Sequence, residues 1–552
     1  MTESSKGPGL ARSSSLMAAG TIASRITGIF RDVAAAAALG FFLVSDAFSL
    51  GNSLPTIVYI LVIGGALNAV FVPQLVRRMT DDEDQGKAYA DRLITLVISV
   101  LLSISIIAVI AAPLIVDLYT PNDYPVDEFN LAVAFARLCL PQVMFYGIYS
   151  IFSQVLNARG SFGAPMFAPI ANNVIAIATF LLFIAVAGTS AAADGVLSNE
   201  QIAILGVGTT LGVVAQGLIL IPVLHRSGFH WRPRFDWRGS GLGKAGGLAL
   251  WTMGLVLVNQ ATYVVVTRLA TQANVDASTA GKVAAGLTTY QKAHLVFMLP
   301  HSVITISIVT AMLPALSRVA HSGDLHRVGR DLGKTMRTVA ALITPIAAIL
   351  FVTGSDLSIL LFGYGAATTE QAGLMGQIVS TFMIGLIPFT LFYVLLRGYY
   401  ALEDTRTPFY LSVVISCVWL ISVLSLFHAV PAGGSQVASI AFTYSVSYWV
   451  GLVIAWVLLS RRVGGVDSRR TLGVLARILL AGFFSLAIMV GVHHLVVGAL
   501  GGDVQESKMD IFFVMLAVGF FGAAGYWIAS LALRIREVSN VSQLILRKVK
   551  RL

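Results

Sequence analysis

Arg25, Arg31, Arg137, Arg268 and Lys292 fall inside long apolar stretches of the chain, where an ionised side chain is costly and needs a purpose. The densest group is SRITGIFRD (24–32), which carries Arg25, Arg31 and Asp32 on one segment, with Asp46 soon after it. A guanidinium is permanently charged and offers planar donors that match phosphate oxygens. Carboxylates beside it hold it in position and keep an empty cavity from becoming too positive. On an ideal helix Arg25 and Asp32, seven apart, share a face, while Arg31 lies about 120° round, so long side chains or a bend must bring the arginines together. Gly28 between them permits close packing or bending. Lys292, with His294 and His301 nearby, forms a second candidate group, and Arg268 stands as a further candidate. The chemistry these residues suit is recognition of an anionic headgroup such as a diphosphate. The competing reading is structural: arginines snorkelling to a membrane surface, and an Arg–Asp pair that holds helices together.

Signatures of catalysis are poor. GLGKAG (241–246) matches GxGxxG in letters but lacks the strand, turn and helix that give that motif its meaning. A Walker A lysine motif is absent, and the adjacent His493 and His494 cannot share a helix face at ligand spacing. Cys139 and Cys417 both lie in apolar runs and read as small buried hydrophobes, so neither a disulfide framework nor a metal site is expected. The chain reads as a transporter, not an enzyme, with no resident cofactor.

The elements that must carry these residues are membrane helices. With 57% hydrophobic and 12% charged residues, and a mean hydropathy of +0.82, a water-soluble domain is close to excluded, since soluble domains carry about 25% charged residues. Apolar runs fall at 16–42, 46–76, 90–119, 129–157, 164–189, 200–225, 244–272, 284–316, 334–363, 371–402, 407–429, 436–460, 472–499 and 509–533. They are too long and too uniformly apolar for barrel strands, so an all-α polytopic membrane protein of about fourteen spans is expected. The net charge of +10 would suit a nucleic-acid partner, but the basic residues crowd the even-numbered connections and the tails instead. Arg77 and Arg78, the group from Arg226 to Lys244, and Arg461 to Arg470 are examples, while the odd-numbered connections hold acids such as Asp117, Asp123 and Asp194. That alternation places both termini in the cytoplasm.

Two landmarks recur at nearly constant offset. NAVFVPQLVRR (68–78) is echoed by TAMLPALSRV (310–319), with Pro73 and Pro314 241 apart, and NARGSFGAP (157–165) by YALEDTRTP (400–408), with Pro165 and Pro408 243 apart. The organisation expected is a disordered cytoplasmic tail (1–14), a six-helix lobe (15–226), a cytoplasmic linker (227–243), a second six-helix lobe (244–462), an added helix pair (463–535) and a basic cytoplasmic tail (536–552). Parallel repeats of this kind suit alternating access, with the substrate between the lobes.

In SRITGIFRD (24–32), SDAF (45–48), ALNAVFVPQL (66–75), LPHSVITISIVTAMLPALSR (299–318) and RGYYALEDTRTP (397–408) the chain resembles the MurJ/MviN family of lipid II flippases, within the multidrug/oligosaccharidyl-lipid/polysaccharide exporter superfamily. The resemblance implies transport of an undecaprenyl-diphosphate-linked muropeptide from the inner to the outer leaflet of the bacterial plasma membrane, for cell-wall synthesis. By motif match it places the family's cavity residues at Arg25, Arg31 and Asp46. Asp32, Lys292, His294 and Arg268 complete the substrate-binding set expected from the residues themselves. The chain departs from the family pattern at Tyr59, Ile60 and Gly64, where many relatives carry arginines and a glutamate, and at His294 and Leu295, where many carry Asp-Arg. Coupling to a monovalent ion or to membrane potential is implied, with Asn259, Gln260 and Thr262 as the polar residues available in the seventh run. Membrane lipids and wall-synthesis or division proteins are the implied partners, and nucleic acid is not. Two alternatives stay open: a polysaccharide-lipid flippase or drug exporter of the same superfamily, and a non-transporting scaffold for wall-synthesis enzymes.

Overall fold

Hydrocarbon cannot satisfy a backbone amide, so segments this apolar must close their hydrogen bonds internally. The computed structural model describes residues 8–62, 84, 86–236, 246–501 and 504–539, and among these the regular structure is helical throughout. The chain packs into two units, residues 1–272 with 365–367, and residues 273–364 with 368–552. In the first unit the helices are Pro8–Leu39, Leu43–Val62, Lys87–Ile110 with Ala112–Tyr119, Val126–Cys139 with Gln142–Ala158, Gly163–Ala187, and Asn199–Leu218 with Leu220–Arg226. Gly246–Thr279 belongs to this unit through Gln272. The second unit holds Leu287–Pro300, a π-helical turn His301–Thr305, Ile306–His321, Leu325–Val352 with Gly354–Phe362, and Thr369–Ala401. Arg406–Phe427, Gly434–Val463, Ser468–Ala499 and Lys508–Ala532 complete it.

Twelve helices among the described residues are long and apolar enough to cross a membrane. Pro8–Leu39 and Leu43–Val62 are not among the twelve, and the residues on them give the reason: Arg25, Arg31 and Asp32 on one, Asp46, Asn52 and Pro55 on the other. Arg25, Arg31, Asp32 and Asp46 of the candidate site thus lie on these two helices. Elsewhere large apolar side chains face outward, such as Ile110 at 75%, Leu495 at 74% and Phe520 at 69% exposure, a surface suited to lipid rather than water. The expected tail over 1–14 needs correction, because the first helix begins at Pro8; proline at a helix start lacks only an amide that would go unpaired there anyway. Residues 1–7, the 68–78 landmark, GLGK within 241–246, linker residues 237–243 and the tail from 540 lie outside the described residues.

Breaks and caps follow local chemistry. Pro141 separates Val126–Cys139 from Gln142–Ala158, as expected where an amide donor is missing. Ser198 with Gln201, and Thr368 with Gln371, form reciprocal capping boxes. Phe48 meets Phe135 and Phe180 edge-on, with centroids at 5.2 and 5.9 Å, and so joins three helices of the first unit. In the second unit Thr369–Ala401 is packed by Leu287–Pro300, Leu325–Val352, Gly354–Phe362 and Gly434–Val463. Hydroxyls tie its helices together: Tyr399 donates to the Ala455 carbonyl and Tyr526 to that of Ala341, each at 3.0 Å.

The landmark at 157–165 and its echo at 400–408 share a backbone geometry. The Ser161 amide donates to the Leu156 carbonyl at 2.8 Å, and that of Asp404 to Tyr399 at 2.9 Å. Gly160 (φ 77°) and Glu403 (φ 56°) both take left-handed backbone between them. The shift is constant, since 403 less 160, 404 less 161 and 399 less 156 each give 243. Left-handed backbone suits glycine and strains glutamate.

Two ionic fastenings lie at the ends assigned to the cytoplasm by charge. Arg337 is buried and donates to Glu537 Oε1 at 3.0 Å, Thr471 Oγ1 at 2.8 Å and Asp467 Oδ2 at 3.3 Å. It fastens the segment after the last helix to Leu325–Val352. Gly329 and Gly333 let that helix lie against residues 465–466; a methyl on either would run into the carbonyl oxygen of Gly465 or Val466. In the first unit the linker residues 231–236 lie along Lys87–Ile110, where the Arg232 amide donates to Asp91 and the Arg234 amide to Thr95. Arg92 donates to Asp236 at 2.5 and 3.0 Å, and that guanidinium holds the Asp236 carboxyl below its ordinary pKa.

Candidate functional site

The first helix (Pro8–Leu39) packs closely on Gly163–Ala187, and one side chain organises the contact. Asn173 is buried in the middle of an apolar run, and its Nδ2 donates to the Ser24 carbonyl and the Thr27 hydroxyl, both at 3.0 Å. Its Oδ1 accepts from Arg31 Nη1 at 3.2 Å. The other Arg31 nitrogen, Nη2, meets both oxygens of Asp32 at 3.4 Å, with the Asp32 side chain only 10% exposed and that of Arg31 36%. Arg31 is therefore held from two directions while over a third of it stays accessible. That is the preparation an anion-binding guanidinium needs: a fixed fork with donors to spare. The Cβ of a residue replacing Gly28 would come 3.7 Å from Asn173 Nδ2, an ordinary van der Waals contact, so the crossing has room for a methyl there.

Around Arg31 the first unit supplies neutral polar groups. Gln142, fully buried, donates to Thr210 at 3.0 Å and Asn52 at 3.4 Å. Tyr146 lies within the field of Arg31, donates to Gln142 Oε1 at 3.5 Å, and places its ring 6.1 Å from that of Tyr59. Tyr59, one of the departures from the family pattern, thus sits half-buried among tyrosines.

The other expected site residues are distributed. Arg25 is half-buried, less than two turns before Arg31. Asp46 is almost wholly buried near the 120–125 loop. There the Tyr124 phenol, its hydroxyl without a hydrogen-bond partner, is pushed well above its ordinary pKa by burial and, further, by the Asp46 and Glu128 carboxylates. Arg268 donates to the Asp117 and Leu118 carbonyls at 3.1 and 3.3 Å and to Asn122 at 2.8 Å. A cation at a helix C-terminus is a favourable fastening, and Arg268 caps Ala112–Tyr119. Arg137 is exposed. Thr262 donates to the Val258 carbonyl of its own helix.

In the second unit Lys292 and His294 are half-buried on Leu287–Pro300. The His294 ring stacks on Tyr290 at 6.0 Å and meets Phe297, Phe382 and Tyr444 at 5.6 to 5.9 Å. The same aromatic cluster extends through Phe389 and Tyr393 to His301, whose ring lies 4.7 Å from each. It ends at Arg397, with its guanidinium 4.2 Å from the Tyr393 ring and 5.5 Å from Tyr400. Sequence reading passes over Arg397 because it sits a turn from the end of an apolar run, where basic residues face the cytoplasm. The signal was the stripe Phe389, Tyr393, Arg397, Tyr400 at helical spacing. Asn173 was legible in the same way, as an amide in the middle of the apolar run 164–189.

Nearby, two continuous apolar grooves of about 410 and 330 Å³ run along the second unit and share Thr344, Ile387, Trp449 and Leu479. Trp449 and Trp456 are pinned by their indole donors to the Ile384 carbonyl and the Ser468 hydroxyl.

The sequence profile of the family described as lipid II flippase MurJ matches residues 35–503. The chain belongs to the MurJ family. The match takes in Asp46, Arg268, Lys292, His294, His301 and Arg397, and begins after Arg25, Arg31 and Asp32. Among curated MurJ relatives, "Probable lipid II flippase MurJ" of Rhizobium meliloti (strain 1021) is 27% identical over 450 residues, 80% of this chain and 78% of the relative. A protein of the same description from Thermotoga maritima is 26% identical over 524 residues, 95% of this chain and 96% of the relative. A solved MurJ structure described as "Lipid II flippase MurJ, inward closed conformation" superposes with a TM-score of 0.72, covering 94% of this chain and 99% of that one at 19% identity. An inward-facing multidrug resistance MATE transporter of the MOP superfamily shares the fold at a TM-score of 0.60 and 12% identity, over 80% of this chain and 96% of that one. The protein is a multi-pass membrane protein of the MurJ fold.

Proposed function

We propose that this protein carries lipid II, an undecaprenyl-diphosphate-linked muropeptide, from the inner to the outer leaflet of the bacterial plasma membrane by alternating access. In this reading the two N-terminal helices cross the membrane with the other twelve, both termini face the cytoplasm, and Arg31 binds the diphosphate in a cationic cavity. Family membership supports the substrate, and the curated relatives carry the flippase description. The observation that carries the reading is the Arg31 fork, fixed by Asp32 and Asn173 yet partly accessible. The apolar grooves beside Trp449 suit a hydrocarbon chain, as a lipid-linked cargo requires. An electrical or monovalent-cation gradient supplies the driving force, and wall-synthesis proteins are the partners that take the delivered cargo.

The test is depletion of the protein with measurement of lipid II reaching the outer leaflet, in cells without a redundant flippase. Delivery should fall, and should return with the wild-type gene but not with Arg31→Ala expressed at the same level. Unchanged delivery on depletion would turn the reading to a scaffold; full rescue by Arg31→Ala would remove Arg31 from the site.

A further inference from the structure

Most strongly held cations in the second unit have an acid. Arg337 has Asp467 and Glu537, and Arg462 pairs with Asp404. Arg397 is different. Among the described residues no carboxylate pairs with it, and its Nε is buried without a hydrogen-bond partner. The acids closest in sequence are engaged elsewhere: Glu403 with His321, and Asp404 with Arg462 and Thr407. Instead, the guanidinium lies on the faces of Tyr393 and Tyr400. Aromatic faces steady a cation but accept none of its in-plane hydrogen bonds, so the fork remains unsatisfied.

His301 shares the Tyr393 ring with Arg397 and lies within its field. It is 1% exposed, and its Nδ1 has no partner. Thr305 at the other end of the same π-helical turn is fully buried, and its hydroxyl is also without a partner. Buried polar atoms are ordinarily satisfied, and π-turns inside helices recur at functional sites. Unsatisfied polar groups on two facing helices, beside a cation with no paired carboxylate among the described residues, fit an oxyanion.

We propose that Arg397 and His301, joined by the Tyr393 ring, form an oxyanion-binding subsite within the second unit that takes a phosphate-type group of the lipid-linked cargo. The oxyanion accepts from the in-plane nitrogens of Arg397, and His301 donates through Nδ1 in the matching tautomer. As to the cargo, this rests on the function proposed above; as an anion site it stands on its own geometry. It assigns the second unit's recognition to Arg397 and His301, and leaves His294 as a packing residue of the aromatic cluster.

The experiment uses the full chain in nanodiscs of zwitterionic lipid, titrated with undecaprenyl diphosphate, undecaprenol and inorganic pyrophosphate. Arg397→Gln should weaken undecaprenyl diphosphate binding by about tenfold, the size of one lost charge-assisted hydrogen bond, and leave undecaprenol unchanged. Arg397→Lys keeps the charge but loses the fork, and should weaken it severalfold; it also serves if the glutamine variant does not fold. His301→Gln should give a smaller loss with the same selectivity. Unchanged diphosphate binding in Arg397→Gln, with Arg31→Ala still weakened, would overturn the subsite and spare the cargo reading. If the wild type ignores undecaprenyl diphosphate yet binds pyrophosphate in an Arg397-dependent way, the anion site stands and the cargo reading falls. Equal loss of undecaprenol and undecaprenyl diphosphate in Arg397→Gln would make Arg397 a structural residue and overturn the proposal.

Discussion

Arg31 and Arg397 are both guanidiniums on long helices, and the two units hold them by opposite means. Arg31 has a carboxylate and an amide, so its charge is compensated before any ligand arrives. Arg397 has two tyrosine faces and no acid among the described residues. A pre-paired cation is cheap to keep in an apolar setting but must share its attraction with a new anion. A bare one is costlier to keep and gives more to the ligand that completes it. One protein thus combines a site prepared by fixed partners with a site prepared by the lack of one.

Stability separates the two kinds of cation most strongly. Arg337 is the fully paired cation of the second unit, and Arg337→Ala should cost about 3–5 kcal/mol by leaving two carboxylates without their cation. Arg397→Met should cost less than about 1 kcal/mol or stabilise, since the change removes a charge that lacks a counter-ion. Thermal unfolding in detergent would show it, and equal losses in the two variants would erase the distinction. Next comes Asn173→Ala, which removes the amide holding Arg31, Ser24 and Thr27. A loss of about 1.5–3 kcal/mol for a charged hydrogen bond corresponds to roughly a 10- to 150-fold drop in lipid II delivery. Wild-type delivery in Asn173→Ala would mean that Arg31 needs no prior positioning.

A smaller effect compares the two helix junctions. Glu403→Gly should stabilise the second unit by about 1 kcal/mol, and Gly160→Ala should destabilise the first by a similar amount. Nothing lies within 4 Å of a Cβ at Gly160, so the backbone conformation alone sets that cost. The same pair differs in acid sensitivity. Burial pushes the Asp404 carboxyl up, but hydrogen bonds from the Thr407 hydroxyl and amide and from Arg462 outweigh it and leave its pKa below the ordinary value. Its folded pKa is depressed, so its contribution is present above about pH 3.9 and is lost as pH falls through the folded value. Hydrogen exchange at residues 402–407 should therefore gain an acid-dependent opening below pH 4, absent at 159–162, where Ser161 stands in place of Asp404.

Much of the helical frame was legible in sequence, because twenty apolar residues in hydrocarbon leave the backbone no other solution. Arg31 and Asp32 were legible as charges with no business in an apolar run, and the structure pairs the two as sequence neighbours. Their tie to Asn173 was not legible, since nothing in spacing along the chain tells which of two distant helices will touch. The partners of Arg268 were hidden for the same reason: the carbonyls at 117 and 118 come from another helix. Arg397 was hidden by a sound rule, that basic residues gather at cytoplasmic helix ends. What distinguishes it is that no acid among the described residues pairs with it, and such a lack of contact is visible only in three dimensions.

Asn173 has a mechanical consequence as well. It grips the first helix at Ser24, Thr27 and Arg31 with a single amide. A slide or rotation of that helix along Gly163–Ala187 strains the bonds to Ser24 and Thr27 together, because one Nδ2 makes both, whereas the longer Arg31 side chain can follow the amide oxygen. The amide acts as a detent on the helix backbone, with the arginine as a tether that lets out some slack.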